Sequence, residues 1–200
     1  FASLRDFCHR VRVERPILEN LIRLSAFRGV ESASAHSLLW EVPLLLKESG
    51  QPIQGMALAS TLPHKPTDHG EQLQAEHELL GFSLGKHALG YLRPALQRQG
   101  AVRSAGLTKL AAGARIAIAG QMVSWQTPPT KSGQRIIFLT LEDEDGLMQV
   151  IIFPRAQEKC VPAMHDSPLL LVKGTVQRRG LRATVVAEDI TGLPLTSQSR

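Results

Sequence analysis

The chain has 200 residues, which suits one large domain or two small ones, and its 43% hydrophobic content is ordinary for a globular protein. It carries 23 Lys and Arg residues against 18 Asp and Glu residues, and the net charge of +5 favours an anionic partner without requiring one. No apolar run reaches the roughly 18 residues of a membrane span, so we expect no membrane partner. Two isolated cysteines, Cys8 and Cys160, argue against a disulfide framework and favour a reducing cytoplasm. Because the first residue is Phe1 and not Met, we expect a segment of a longer polypeptide.

Helical periodicity dominates residues 1–48. Apolar residues recur on one face of a helix that begins near Pro16, a favoured first-turn residue, and that we expect to end at Gly29. A second, short helix is expected to begin at Ser37–Trp40 and to be stopped by Pro43, because proline lacks the backbone N–H that a helix interior needs.

Residues 49–70 are punctuated by Gly and Pro without sustained periodicity, which predicts an exposed linker. Residues 71–104 return to a helical pattern, interrupted at Gly81 and Gly85, and we interpret them as a helical connector. Its expected core consists of the leucines Leu79, Leu80, Leu84, Leu89, Leu92 and Leu96.

Beyond Arg115 the hydrophobic period changes to two, which predicts strands. Five runs fit: Arg115–Trp125, Gln134–Glu142, Leu147–Phe153, Leu169–Gln177 and Leu181–Ala187. Asp145-Gly146 and Arg179-Gly180 are predicted hairpin turns, and residues 154–164 leave room for one helix between the third and fourth strands. This order is that of an OB fold. We therefore predict an α+β chain whose residues 105–193 form a five-stranded OB barrel, followed by a tail at 194–200.

The binding surface of such a barrel is the face of its second and third strands, together with the loops that join strands one to two and four to five. Alternation places Phe138 and Phe153 outward, where either ring can stack on a nucleic-acid base. The alternative is that both rings cover a barrel end or meet a neighbouring domain.

Basic residues fall in both of these loops. Lys131 lies in the first loop, with Trp125 before it and Arg135 after it. The second carries the three arginines Arg178, Arg179 and Arg182. We predict that these cations contact backbone phosphates and that Trp125 stacks on a base. The alternative is that both loops are solvated turns.

The densest acidic run, Glu142 to Asp145, has two interpretations. Carboxylates in number favour Mg²⁺, but the following glycine favours a solvated hairpin turn, which we expect here. The seven histidines lack the spacing of a helical zinc pair, and no nucleophile–base–acid set or phosphate-binding glycine loop occurs. We therefore expect no catalytic residue, metal site or cofactor in this segment.

Three segments resemble bacterial DNA polymerase III α-type subunits. Glu78 to Arg93, reading ELLGFSLGKHALGYLR, resembles a characteristic string of that family, with Ala88 where the family commonly has proline. Residues 118–123, 138–146 and 172–178 are similar to its OB domain, and residues 3–8 and 18–27 to its helix-hairpin-helix region. The short linker before the barrel is most similar to the error-prone branch.

This resemblance implies a non-catalytic, template-handling region of a bacterial error-prone polymerase that acts in translesion synthesis. Its partners would be single-stranded or primer–template DNA and, with them, other polymerase or mutagenesis proteins. The parent enzyme would be a DNA-directed polymerase that uses Mg²⁺, with its active site outside this segment. Two alternatives remain: a protein-interaction module, and an anticodon-binding domain of a tRNA synthetase, which shares the barrel but not the Glu78–Arg93 string.

Overall fold

The structure, a computed structural model, describes residues 1–48, 69–129, 133, 135–180 and 182–194. The chain divides into two compact units, Phe1–Ser83 and Leu84–Arg200, and each is treated separately below. The division falls within the segment that the sequence predicts to be a connector. Most of the predicted linker, residues 49–68, lies outside the described residues.

The first unit is helical. Its helices are α1 (Leu4–Arg10), α2 (Arg15–Arg23), α3 (Ala35–Glu48) and α4 (His69–Leu80). Ser3 caps α1, because its hydroxyl accepts a hydrogen bond from the backbone N–H of Asp6 at 3.1 Å. Apolar side chains from α1, α2 and α3 and from the segment between α2 and α3 form one core: Leu4, Cys8, Leu18, Ile22, Phe27, Leu38, Val42 and Leu45.

Helix α2 ends earlier than predicted, at Arg23 and not before Gly29. Ser25 takes the left-handed conformation with a φ of 58°, and its N–H bonds to the carbonyl of Ile22 while the N–H of Ala26 bonds to that of Leu21. These two bonds form a Schellman cap, a position that usually favours glycine. The prediction was wrong because a serine performs the conformational role expected of Gly29.

Helix α3 is longer than predicted, since it passes through Pro43 and continues to Glu48. Pro43 is exposed, so the carbonyl that loses its helical partner there is on the solvent side. Val42 and Leu45 beside it are buried in the core. Packing of these apolar residues therefore offsets the missing hydrogen bond, and the predicted stop at Pro43 was wrong.

The second unit begins with two helices and ends with a barrel. Its elements are α5 (Ala88–Arg98), β1 (Ala101–Val102), α6 (Ser104–Leu107), β2 (Arg115–Gln126), β3 (Ile137–Glu142), β4 (Leu147–Ile152), α7 (Pro154–Asp166), β5 (Leu169–Arg179) and β6 (Arg182–Gly192). The five predicted strands and the single helix between the third and fourth are confirmed. The two-residue β1, which pairs in parallel with β2, was not predicted.

Strands β2 to β6 close into a five-stranded barrel. The neighbours follow the order β2-β3-β4-β6-β5, and β2 pairs again with β5, so β2 contacts β5 through its first half and β3 through its second half. Gly120 lies where β2 changes partner, and a Cβ atom there would lie 2.5 Å from that of Leu141. Only glycine permits this close approach.

Alternation along the strands builds the barrel core. Ile137, Leu139 and Leu141 of β3 are buried, while Phe138 and Thr140 between them are partly exposed, as predicted. The α7 helix adds Ala156, Cys160 and Met164 to the same core. Cys160 therefore fills space as a small apolar group, and so does Cys8 in the first unit.

The leucines of residues 71–104 are only partly a core. Leu89, Leu92 and Leu96 of α5 are buried, but Leu80 and Leu84 are exposed because they flank the break between α4 and α5. Ala88 is the first residue of α5, preceded by His87, whose Nδ1 accepts from the N–H of Leu89 at 3.2 Å. No helix within the described residues is long and apolar enough to cross a membrane.

Candidate nucleic-acid interface

The outer face of the barrel carries a row of uncharged polar side chains. Ser124 pairs with Thr140, Thr140 with Gln149, Gln149 with Thr184 and Thr184 with Gln177, so the row crosses β2, β3, β4, β6 and β5. Gln149 donates a hydrogen bond to the Thr140 hydroxyl at 2.9 Å. The row offers donors and acceptors without a fixed charge. In the sequence, Gln177 follows the apolar residue Val176 and Thr184 precedes the apolar residue Val185. This alternation of apolar and polar residues identifies the β5 and β6 members of the row.

A second row on the same face is apolar. Phe138 of β3 pairs with Ile151 of β4, which pairs with Val186 of β6, and all three side chains are partly exposed. The predicted outward position of Phe138 is confirmed. Its ring lies two residues along β3 from Thr140 of the polar row, on the same face of the strand. In this arrangement a base can stack on the ring beside hydrogen-bonding groups.

The β5–β6 hairpin separates its three arginines. Arg179 pairs with Arg182, and the alternation of β5 and β6 places both on the outer face, in line with Gln177 and Thr184. Arg178 lies on the opposite side of the strand, where its Nη1 donates to the carbonyl of Leu110 at 3.3 Å. The structure thus joins Arg179 and Arg182 to the polar row and gives Arg178 a bond within the protein.

Trp125 lies on the opposite side of the sheet from Phe138. A β-bulge between Met122 and Ser124 shifts the alternation of β2, so that Trp125 pairs with the inward residue Leu139. Its indole ring is 48% exposed and meets His165 of α7 edge-on, with ring centroids 6.5 Å apart. The structure therefore does not place Trp125 and Phe138, two of the three predicted stacking rings, on one surface.

The remaining predicted site residues have separate positions. Phe153 caps the start of α7 and is partly exposed. Arg135 is exposed just before β3, and its carbonyl accepts a hydrogen bond from Gln157 of α7 at 2.6 Å. Lys131 lies outside the described residues.

The acidic run Glu142 to Asp145 is only partly the predicted solvated turn, because Glu142 and Asp145 are exposed whereas Asp143 is buried and Glu144 is partly buried. The Asp143 side chain is fully buried and accepts four hydrogen bonds: from the N–H and hydroxyl of Ser104 at 2.8 and 2.6 Å, and from the N–H groups of Asp145 and Gly146 at 2.9 and 3.1 Å. The predicted hairpin itself is confirmed, since β3 and β4 pair on either side of it.

Arg93 of α5 binds the same turn. Its guanidinium donates to both carboxylate oxygens of Glu144, from Nε at 2.9 Å and from Nη2, and Nη2 also lies 3.9 Å from the Asp143 carboxylate. The Arg93 side chain is only 5% exposed. The sequence signal for this ion pair is a cation on the apolar stripe of α5, between Leu89, Leu92 and Leu96.

These contacts determine the ionisation of the turn. Burial alone would raise the pKa of Asp143, but the hydrogen bonds from Ser104, Asp145 and Gly146 hold its pKa below the ordinary range. Burial would likewise raise the pKa of Glu144, but the hydrogen bond from Arg93 outweighs this effect, so that pKa is lowered as well.

Because the oxygens of Asp143 and Glu144 already accept these bonds, the turn does not fit a Mg²⁺ site. In the part of the chain that the structure describes, no group of three or more His, Cys, Asp or Glu side chains is placed to hold a metal ion.

Comparison with known proteins finds a family match for the barrel and relatives for nearly the whole chain. Residues 116–193 match the family described as OB-fold nucleic acid binding domain. The chain is 33% identical over 201 residues to an error-prone DNA polymerase of Pseudomonas aeruginosa, 30% over 190 residues to that of Alkalilimnicola ehrlichii and 29% over 201 residues to that of Mycobacterium bovis. These alignments cover 96%, 94% and 100% of this chain, but 19%, 18% and 18% of the relatives.

The predicted resemblance to error-prone polymerases is therefore confirmed over nearly the whole chain, which spans about a fifth of the length of the curated relatives it matches. Among solved structures, asparaginyl-tRNA synthetase from Pyrococcus horikoshii is 20% identical, with 50% of this chain and 24% of that chain covered and a TM-score of 0.39. A mitochondrial single-stranded DNA binding protein from S. cerevisiae is 14% identical, with 42% and 98% covered and a TM-score of 0.33.

Proposed function

We propose that this chain is a non-catalytic, DNA-binding region that handles the template strand of an error-prone DNA polymerase. The observation that carries the proposal is the outer face of the barrel, where a neutral polar row, the Phe138 ring and the exposed pair Arg179 and Arg182 share one surface. The resemblance to error-prone DNA polymerases and the match to a nucleic-acid-binding family support it.

The chemistry of this face suits a single strand. Unpaired bases expose both a π-face and hydrogen-bonding edges, which the Phe138 ring and the Thr140–Gln149 pair can meet without fixing a sequence. The phosphates need cations, and the guanidinium groups of Arg179 and Arg182 supply them at one end of the face. A neutral centre between the ends leaves the strand free to slide, as template handling requires.

The helical unit has a separate proposed role. The segments that resemble a helix-hairpin-helix region, residues 3–8 and 18–27, lie largely in α1 and α2, and these helices share one buried core with α3. We propose that they form a helix-hairpin-helix-like element that grips the backbone of duplex DNA. The parent protein is proposed to be a Mg²⁺-dependent DNA-directed DNA polymerase, whose catalytic residues lie outside this segment.

Titration of labelled oligonucleotides tests the proposal. The complete 200-residue chain should bind single-stranded DNA at low salt, and the logarithm of its affinity should fall linearly with the logarithm of the salt concentration as phosphate contacts release counterions. A primer–template should bind more tightly than either strand alone if the helical unit adds duplex contacts. Absence of single-stranded DNA binding at low salt would overturn the proposal.

A protein-interaction module is the second candidate. Val123 and Trp125 of β2 are each about half exposed, and Trp125 lies off the face that suits DNA. Exposed apolar side chains of this kind favour protein contact. Replacing both with serine should then weaken capture of a polymerase partner while the affinity for single-stranded DNA stays unchanged.

A further inference from the structure

A groove on the barrel extends the outer face beyond the Phe138 row. It has a volume of about 550 Å³ and lies between the first turns of α7 and the strands β5 and β6. The side chains that line it include Phe153, Arg155, Lys159, Thr175, Gln177 and Glu188.

The groove is continuous with the face already described. Phe138 pairs with Ile151, Ile151 with Val186 and Val186 with Thr175, so the apolar row leads directly into it. Phe153 follows Ile151 in the outward alternation of β4 and lines the groove from the α7 side. A strand that leaves Phe138 along this row therefore meets a second aromatic ring.

Two cations border the groove. Arg155 and Lys159 are one turn apart on α7 and both are exposed. Among the described residues, neither has a hydrogen bond or ion pair with another side chain. Glu188 opposes them, and its carboxylate accepts a hydrogen bond from the Thr175 hydroxyl at 2.8 Å. The charged residues that line the groove thus give it a net positive charge.

We propose that this groove is a further nucleotide-binding site, in which the Phe153 ring stacks on one base and Arg155 and Lys159 hold the adjoining phosphates. The inference rests on the proposed function and adds a second anchor to it. The outer face then has a basic group at each end, Arg179 with Arg182 at the hairpin and Arg155 with Lys159 at α7, with neutral residues between them. A strand bound at both ends has a defined path across the barrel.

Oligonucleotides of two lengths test the second anchor. One barrel holds from about 4 to about 16 nucleotides, so oligo-dT of about 4 and about 12 nucleotides should reach one anchor and both anchors respectively. The double variant Arg155→Ala, Lys159→Ala of the complete chain should bind the longer strand about tenfold more weakly. The slope of the logarithm of its affinity against the logarithm of the salt concentration should also become shallower by about 1.4, because each of the two lost phosphate contacts contributes about 0.7. Double replacement of Lys86 and Arg98, two exposed cations beside and on α5, is the matched control and should change the affinity less than twofold.

A gain of affinity gives an independent readout. Glu188→Gln removes the opposing charge but keeps an oxygen that accepts from Thr175, so it should tighten binding of the longer strand about threefold. Phe153→Leu keeps an apolar group at the cap of α7 and removes the stacking ring, which should weaken that binding about fivefold.

The two proposals fail differently. If the chain binds the longer strand and the Arg155, Lys159 and Glu188 variants behave like the control pair, the groove site is wrong and the outer face remains. If the chain binds no single-stranded DNA at low salt, both proposals fall. If the groove variants instead abolish capture of a protein partner and leave DNA affinity unchanged, the groove is a protein site and the inference is overturned.

Discussion

The β3–β4 and β5–β6 hairpins of the barrel both carry several charges, but these charges lie in different environments. The acidic β3–β4 turn is anchored inward, with Asp143 buried and Glu144 paired to Arg93 of α5. In the basic β5–β6 turn, Arg179 and Arg182 extend into solvent from the outer face. Charge density alone is similar in the two turns. The difference is that Asp143 and Glu144 have partners within the protein, whereas Arg179 and Arg182 have no side-chain partner among the described residues and so can contact a ligand.

The largest expected effect is the loss of the buried cation. Arg93→Met leaves the buried Asp143 and the partly buried Glu144 without their counterion, which should reduce the free energy of unfolding of the second unit by about 3–5 kcal/mol. Urea unfolding measures it in a Trp40→Phe background, where Trp125 is the remaining tryptophan and reports on the barrel. Arg98→Ala, an exposed position on the same helix, should stay within about 0.5 kcal/mol. An equal effect of the two variants would show that the turn does not depend on Arg93.

The acidic turn should also make stability depend on pH. Since the pKa of Asp143 is lowered in the folded state, its contribution is present above its unfolded pKa, about 3.9, and is lost as the pH falls through the folded value. Asp143→Asn should therefore be about 2 kcal/mol less stable than the parent chain at neutral pH. The gap should close in strongly acidic solution, as measured by urea unfolding across a pH series. A gap that is constant with pH would indicate that the charge of Asp143 contributes nothing.

The basic turn should show the reverse behaviour. Arg179→Ala with Arg182→Ala should leave the free energy of unfolding within about 0.5 kcal/mol and weaken single-stranded DNA binding about tenfold. Arg178→Ala, which loses the bond to Leu110, should cost about 1 kcal/mol of stability and affect binding less. Fluorescence anisotropy and urea unfolding of the same preparations separate the two quantities. Equal binding losses in both variants would contradict the inference that Arg178 bonds to Leu110 and does not contact the DNA.

The smallest effect concerns a single ring. Phe138→Leu keeps an apolar side chain of similar size, so stability should change by less than about 1.5 kcal/mol, while single-stranded DNA affinity should fall about fivefold through lost stacking. Trp125→Leu is the matched control, because that ring lies on the other side of the sheet, and its DNA affinity should equal that of the parent chain. A larger loss in the Trp125 variant would place the strand beside Trp125 and His165, at the last turn of α7, and would contradict the assignment of the outer face.

The strands of the barrel could be predicted because each is marked by residues close together in the sequence. The starts of β2, β4 and β5 at Arg115, Leu147 and Leu169 follow directly from the change to period two and from the hairpin glycines. Outward placement of Phe138 follows from the same alternation.

The predictions were wrong where the structure depends on residues that are distant in the sequence or on uncommon backbone conformations. The partner of Glu144 is 51 positions away, so no local pattern shows that this carboxylate is paired within the protein. Ser25 adopts the left-handed backbone conformation that usually favours glycine. Pro43 is tolerated within α3 because its neighbours pack in the core. The orientation of Trp125 depends on a bulge, which period-two reasoning does not anticipate.

That bulge also has a genetic consequence. Val123 is the extra residue of β2, opposed by no partner of its own between the pairs Met122–Leu141 and Ser124–Thr140. Deletion of its codon would remove the bulge and leave every downstream pair of the strand unchanged, because Ser124 would then follow Met122 directly in a regular ladder. The first strand of the barrel therefore has a position at which its length can vary between related genes without changing the register of the pairs on either side.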